Sequence, residues 1–240
     1  MSKPLMVHVI TNFAGVGGAE MMLARLIKHT EHQYEHVIIA LMKTSEVYQS
    51  TLDRCQAHYA LDWNGINTLG TVSKLRTLLK KLQPATVQCW MYHANALTSL
   101  SIIGLAQKPK VVWGIHHSLA SPKDESISTK IALGLSKILS QQASAIIYCA
   151  HSSMQQHQAF GFKNGNSQVI ANGVFLDKFQ PNLQLNQPTV IGFAGRYHPA
   201  KGYSYLFETM GLLKDKNIIF KVAGGGASLE NPEVKALFEQ

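Results

Sequence analysis

The sequence predicts an α/β chain: a mostly parallel sheet covered by helices on both sides, followed by a shorter unit in which the same pattern begins again. Three observations predict it. Short runs rich in β-branched and aromatic residues alternate with connections of about 10 to 20 residues that hold apolar positions at helical spacing, the mark of βαβ units with strands buried on both faces. The polar stretch DKFQPNLQLNQP, which contains Pro181 and Pro188, then interrupts the pattern as a linker does. Beyond it, strand-like and helix-like segments return.

Taken in order, LMVHVIT (5–11), HVIIALM (36–42), VQCWMYH (87–93), KVVWGIHH (110–117) and SAIIYCA (144–150) read as strands. AEMMLARLIKH and STKIALGLSKILSQQ carry the helical spacing between them. This gives a first domain over 1–180, a linker over 181–188 and a second domain over 189–240. The second begins with the strand TVIGFAG (189–195), a helix from about 201 to 213, the strand NIIFKVAGGG (217–226) and a helix from Pro232. Two βα units bury both faces of a sheet poorly, so the second domain is expected to be incomplete.

Composition sets the class. Of 240 residues 46% are apolar, with Gly and Pro spread along the chain and not gathered in low-complexity tracts, which argues against disorder. Cys55, Cys89 and Cys149 are odd in number and far apart, so no disulfide framework follows and a reducing compartment is expected. The start, MSKPLMVHVIT, lacks the apolar run of a signal peptide. The net charge of +8 is concentrated before residue 181, where 16 of the 22 cations and nine of the 14 acids lie, and it suits an anionic partner. The basic helix SKLRTLLKKL (73–82) is either a solvated face over a core stripe of leucines or a surface that also touches a membrane.

The first loop, NFAGVGGAE, places Gly15, Gly17 and Gly18 ahead of a helix that begins near Ala19. It is a plain turn or a loop whose backbone N–H groups approach an anion. The third glycine of the dinucleotide fingerprint is absent, Glu20 standing there, as is the lysine of a P-loop. His93, His116 and His117 fall at strand ends, where a doubly wound sheet binds its ligands, and each is either a donor to substrate or a core or capping residue. Adjacent strand residues point oppositely, so only one of His116 and His117 faces a cleft. His29, His32 and His36 read as a surface trio on a helix end and turn. No carboxylate or cysteine partner sits at a metal spacing near these strand-end histidines, and no G-x-S-x-G or H-E-x-x-H motif occurs, which removes the usual support for hydrolases. In the second domain GFAGRYHPAKG sets Arg196 and Lys201 at the mouth of a strand, a fork and a point charge suited to linked phosphates, and AGGGASLE supplies a second glycine loop.

Together GVGGAE, WMYHAN, WGIHHS, NGV and GFAGRYHPAKG resemble a bacterial family 4 glycosyltransferase of the GT-B type. That resemblance implies two Rossmann-like domains, the first on the acceptor side and the second on the side of a nucleoside-diphosphate sugar. It implies transfer of a hexose-type sugar, with retention of configuration, to a lipid-linked, lipopolysaccharide or polysaccharide acceptor. Gly17 and Gly18 would lie near the donor phosphates and His117 would contact the sugar, with His116 beside it at a position often held by arginine. Arg196 and Lys201 would hold the diphosphate and stabilise the leaving group, and His93, Gly195 and Gly225 complete the expected donor set. No cofactor or metal is called for. The expected setting is the cytoplasm, peripherally on the inner membrane, with no nucleic acid as partner. The paired glutamates of the family, separated by seven intervening residues, have no counterpart among Glu230, Glu233 and Glu239, so the 240 residues are expected to be C-terminally truncated and inactive. A non-catalytic binding module and a nucleotide-sugar epimerase are the alternatives, distinguished by whether paired glutamates follow and by whether an acid and a base flank a sugar carbon.

Overall fold

A computed structural model describes residues 3–176, 188–198 and 201–239. The chain divides into two compact units, Met1–Val174 and Phe175–Gln240. In the first, β1 (Leu5–Ile10), α1 (Gly18–Thr30), β2 (Glu35–Ala40), α2 (Gln49–Leu52), β3 (Ala57–Ala60), α3 (Thr68–Leu82) and β4 (Thr86–Trp90) are followed by α4 (Met91–Ser101), β5 (Lys110–Ile115), α5 (Ile127–Leu139), β6 (Ala145–Tyr148), α6 (His151–Phe160) and β7 (Ser167–Val169). Its seven strands are parallel and ordered β3-β2-β1-β4-β5-β6-β7. The chain runs outward from β1 to β3, then crosses back to β4 and runs the other way. That reversal between β1 and β4 opens a crevice at the carboxyl ends of the strands.

Strand periodicity divides the core. Val7, Val9, Val37, Ile39, Val87 and Cys89 face the larger cluster, which Leu75 and Leu79 of α3, all of α4's inner side, and Ala132 and Leu133 of α5 complete. Ile10, Ile38, Ala40 and Trp90 face the other side, against Leu23 and Ile27 of α1. β3 and β7 were not evident from the sequence, being four and three residues long with partly exposed alternating faces.

Three expectations require correction. VQCWMYH is not one strand: β4 ends at Trp90, and Met91 takes a left-handed φ of 72° and opens α4 without a loop. His93 therefore lies in the first turn of a helix. Because α4 is buried nearly all round, its apolar run could not be told from a strand by periodicity. Secondly, of the histidine trio only His29 and His32 are exposed; His36 is in β2 and 1% exposed. Thirdly, Arg76 of the basic helix α3 is no solvated cation, since it donates to the carbonyls of Ser101, Ile103 and Gly104 at the end of α4.

His36 belongs to a buried polar chain. Thr30 donates its hydroxyl to the Leu26 carbonyl at 2.6 Å, so it accepts from His36 Nε2–H at 3.1 Å. His36 Nδ1 is then the acceptor for His8 Nε2–H at 3.0 Å, which leaves His8 Nδ1 facing the Trp90 indole N–H across a long 3.5 Å. The order of donors holds only while both rings are neutral.

The second unit comprises β8 (Thr189–Ala194), α7 (Tyr203–Leu212), β9 (Ile218–Ala223) and α8 (Pro232–Phe238). β8 and β9 pair in parallel as a sheet of their own. Tyr203 and Val234 are its buried apolar residues, while Ile191, Ile219, Leu212 and Phe238 remain exposed. Of the expected linker over 181–188, all but Pro188 lies outside the described residues.

The histidine chain predicts acid sensitivity. Burial pushes His8 down from 6.5 to about 3, with the neighbouring His36 adding to the effect, and burial also lowers His36. The unfolded chain therefore binds more protons below pH 6.5, and stability falls as pH drops from there toward 3, by up to about 1.4 kcal/mol per pH unit for His8, with His36 adding in the same direction. Urea denaturation at stepped pH should show this fall, flattened in a His8→Gln/His36→Gln variant; an equally steep fall in that variant would place the acid sensitivity elsewhere.

Candidate functional site

At the carboxyl end of β1 the glycine loop is pinned at its base. Phe13 N–H donates to Lys43 O at 2.8 Å, the Phe13 ring stacks on Tyr48 with centroids 4.2 Å apart, and Tyr48 OH donates to Gly15 O at 3.2 Å. Gly17 is the N-cap of α1 and supplies no side-chain cap. The Glu20 side chain folds back over it, so closely that a Cβ on Gly17 would lie 2.3 Å from Glu20 Oε2. A carboxylate in the first turn suits the helix dipole, and it occupies ground where the sequence suggested phosphates. Gly18 borders open space.

Beyond β5 neither histidine remains in the strand, so the alternation argument does not apply to them. The His116 ring folds back onto Trp90, with centroids 5.0 Å apart and planes 14° apart. Its Nδ1–H donates to Asn172 Oδ1 at 3.0 Å, and its backbone N–H meets Met91 Sδ at 3.3 Å. Gly114 leaves space for this ring: a Cβ there would come within 3.3 Å of both His116 Nε2 and Cys89 O. Burial lowers the His116 pKa, the Asn172 bond opposing it, so the ring is neutral at pH 7. Asn172 thus gives the NGV motif a structural role, and Met91 spends a strained backbone conformation at the same point.

His117 faces another set of partners. Its Nε2 lies 2.7 Å from Glu125 Oε1, and its carbonyl accepts from Ser153 Oγ at 2.6 Å. Behind it Tyr92 OH donates to His157 Nε2 at 2.6 Å, and His157 Nδ1–H donates to Ser153 O at 2.7 Å. Burial raises the Tyr92 hydroxyl above its usual range, with Glu125 contributing. This chain through α4 and α6 fixes the His117 backbone while its ring remains part-exposed. His93 is separate: its ring lies 5.1 Å from that of Trp63, burial lowers its pKa, and its Nε2 is buried with no hydrogen-bond partner among the described residues. An unpaired buried nitrogen costs about 1–3 kcal/mol, which a ligand acceptor or donor would relieve.

The second unit brings its two loops into contact. Gly195 N–H donates to Ala223 O and Tyr197 N–H to Gly225 O, both at 2.8 Å. Tyr203 OH donates to Gly195 O. Gly224, at φ 157°, passes so near that a Cβ on it would lie 1.9 Å from Gly195 O. Arg196 and Lys201 are exposed on this clamp, and the Lys201 stem lies beside Gly195, 3.8 Å from where its Cβ would be. α7 begins after Gly202, at φ 70°, with no side-chain cap. Pro199 and Ala200, between the two cations, lie outside the described residues. Gly225 has open space on its Cα.

Trp90, Met91, Glu125 and the Tyr92–His157–Ser153 chain were not singled out from the sequence. Only the i, i+4 spacing of Ser153 and His157 on one helix face hinted at them. Among the described residues no three His, Cys, Asp or Glu side chains gather as a metal-holding group, and no helix is long and apolar enough to cross a membrane.

Comparison with solved structures places the fold. The chain matches HepE of Anabaena in complex with UDP-glucose at TM-score 0.74 and 16% identity, covering 98% of this chain and 64% of that one. It matches the lipopolysaccharide outer core galactosyltransferase WaaB in its apo form at 0.70 and 14%, covering 98% and 64%. It matches sucrose-phosphate synthase of Thermosynechococcus elongatus at 0.70 and 12%, covering 99% and 67%. The fold is therefore of GT-B type, a Rossmann-like parallel-sheet unit followed by a second α/β unit, and the chain spans about 64% of the length of HepE and WaaB. Residues 16–178 match the model of Glycosyltransferase Family 4, and the chain belongs to that family. No curated protein matches it significantly.

The clamp gives a direct test. Gly224→Ala should force the β8 and β9 loops apart and cost about 1–3 kcal/mol, whereas Gly225→Ala, facing open space, should melt like the parent. Equal melting curves for both variants would show that the two loops do not touch.

Proposed function

We propose that the chain serves a glycosyltransferase that moves a hexose-type sugar from a nucleoside-diphosphate sugar to a lipid-linked, lipopolysaccharide or polysaccharide acceptor, with retention of the donor's anomeric configuration. The Family 4 match over residues 16–178 carries this reading. HepE, a structural neighbour, was crystallised with UDP-glucose, which makes a UDP-sugar the first donor to try.

The chemistry follows from charge. As the sugar–phosphate bond breaks, negative charge develops on the departing diphosphate. Arg196 and Lys201, held on the clamped loops beside the uncapped start of α7, meet that charge without having to reorganise. They do what a divalent cation would otherwise do, so the reaction as proposed uses no metal. On the first unit, His117 contacts the sugar through Nδ1, because Glu125 holds Nε2. His93 offers its unpaired Nε2, and the loop at Gly17 and Gly18 borders the same carboxyl edge. The proposed setting is the cytoplasmic face of a membrane that carries the acceptor.

Arg196→Ala and Lys201→Ala should each weaken binding of the nucleotide sugar by about tenfold to a hundredfold, the worth of a charge-assisted hydrogen bond. Calorimetric titration with UDP-glucose and other nucleoside-diphosphate sugars measures this. Unchanged affinity in both variants would make the loop a surface turn. Donor binding without transfer to any membrane-extract acceptor, in a longer chain that carries the paired glutamates, would instead favour a binding module.

A further inference from the structure

The charge of this chain lies in one region. From Trp63 to Leu176 there are ten lysine and arginine residues against two acids, Asp124 and Glu125, a surplus of eight that equals the net charge of the whole chain. Glu125 is already paired with His117. This span builds α3, α4, α5 and α6, which pack on one side of the sheet against the same apolar cluster.

On that side α5 exposes a second stripe. Its inner face buries Ala132, Leu133, Ser136 and Leu139. Its outer face presents Ile127, Ile131 and Ile138, which are 77%, 61% and 74% exposed. At 100° per residue the three fall within about 40° of one another, a continuous ridge rather than the scattered apolar residues of an ordinary surface. Lys130 and Lys137 each precede an isoleucine of the ridge and run beside it. Lys137 Nζ lies 5.4 Å from the centre of the Phe160 ring. Lys123 stands seven residues before Lys130, and Lys163 is fixed at the far end, where its backbone N–H donates to Ser140 Oγ at 2.9 Å.

We propose that this face of α5 docks on an anionic lipid leaflet, with the isoleucine ridge at the boundary between headgroups and acyl chains and Lys123, Lys130, Lys137 and Lys163 at the level of the phosphates. Both halves of the surface are then used. Apolar side chains enter the interface, and long lysine stems reach along them to the headgroups. A polyanion such as RNA would use the lysines and leave three isoleucines in water. The docking face also moves from where the sequence suggested it. In α3, Leu75 and Leu79 are core residues and Arg76 is tied to backbone carbonyls, so that helix has no such ridge. Ser126, the N-cap of α5, follows Glu125 directly, so docking would bring the His117 edge to the bilayer surface. That consequence rests on the proposed function; the docking does not.

Flotation of the 240-residue chain with vesicles tests it. The chain should bind equimolar phosphatidylcholine–phosphatidylglycerol vesicles and bind pure phosphatidylcholine about tenfold more weakly or not at all. Ile127→Ser/Ile131→Ser/Ile138→Ser and Lys123→Glu/Lys130→Glu should each reduce binding by about tenfold or more, with circular dichroism and melting unchanged because these side chains are exposed. Undiminished binding by both variants, no vesicle binding by the parent, or retention of the parent on heparin alone would each overturn the assignment. UDP-glucose titration of the same samples is read separately, and its failure counts against the proposed function alone.

Discussion

The indole of Trp90 sits where the rest of the first unit meets. It ends β4 at the point where the sheet reverses direction, it is 2% exposed, and it has two different neighbours on its two sides. Its N–H points at the His8–His36 chain under α1, and its face supports the His116 ring at the carboxyl edge. A buried polar network is stable only when every member is satisfied. Here that requirement fixes the tautomers of His8 and His36, and with them the seat of the residue that carries His116. The left-handed Met91 follows at once and receives the His116 N–H, so the junction is held by packing, by hydrogen bonds and by a backbone conformation most residues avoid.

The alternation of strands and helices was legible because buried parallel strands must be apolar, and LMVHVIT, KVVWGIHH and SAIIYCA are. The second β–α–β restart was legible for the same reason. VQCWMYH misled because a helix buried on every side has no polar face to reveal its period, and the one signal of the break, a positive φ at methionine, is not encoded by residue type. His36 misled because a histidine beside polar residues reads as surface; its partner His8 is 28 positions away. Glu125, paired with His117 across a loop, had no spacing to announce it. What the sequence did expose were the histidine pair just past β5 and the glycine loops, since those need no partner to be recognised.

The two units offer different chemistry. The first holds neutral or carboxylate-paired imidazoles on a rigid edge, suited to hydroxyl groups of a sugar or acceptor. The second holds two exposed cations on loops locked by the Gly195–Gly224 contact, suited to phosphate. The charge surplus lies in the span from Trp63 to Leu176 of the first unit and not with the glycine loops of the second.

A carboxyl edge organised by Trp90 that serves as the ligand face would report a bound donor at that indole. Trp63, Trp90 and Trp113 give three indole N–H resonances, and Trp113 lies in the core on the opposite side of the sheet from Trp90. Titration of the labelled chain with a nucleoside-diphosphate sugar should shift the Trp90 resonance through its stack with His116 and leave that of Trp113 in place. A Trp90 resonance that stays fixed at saturating donor would contradict the account.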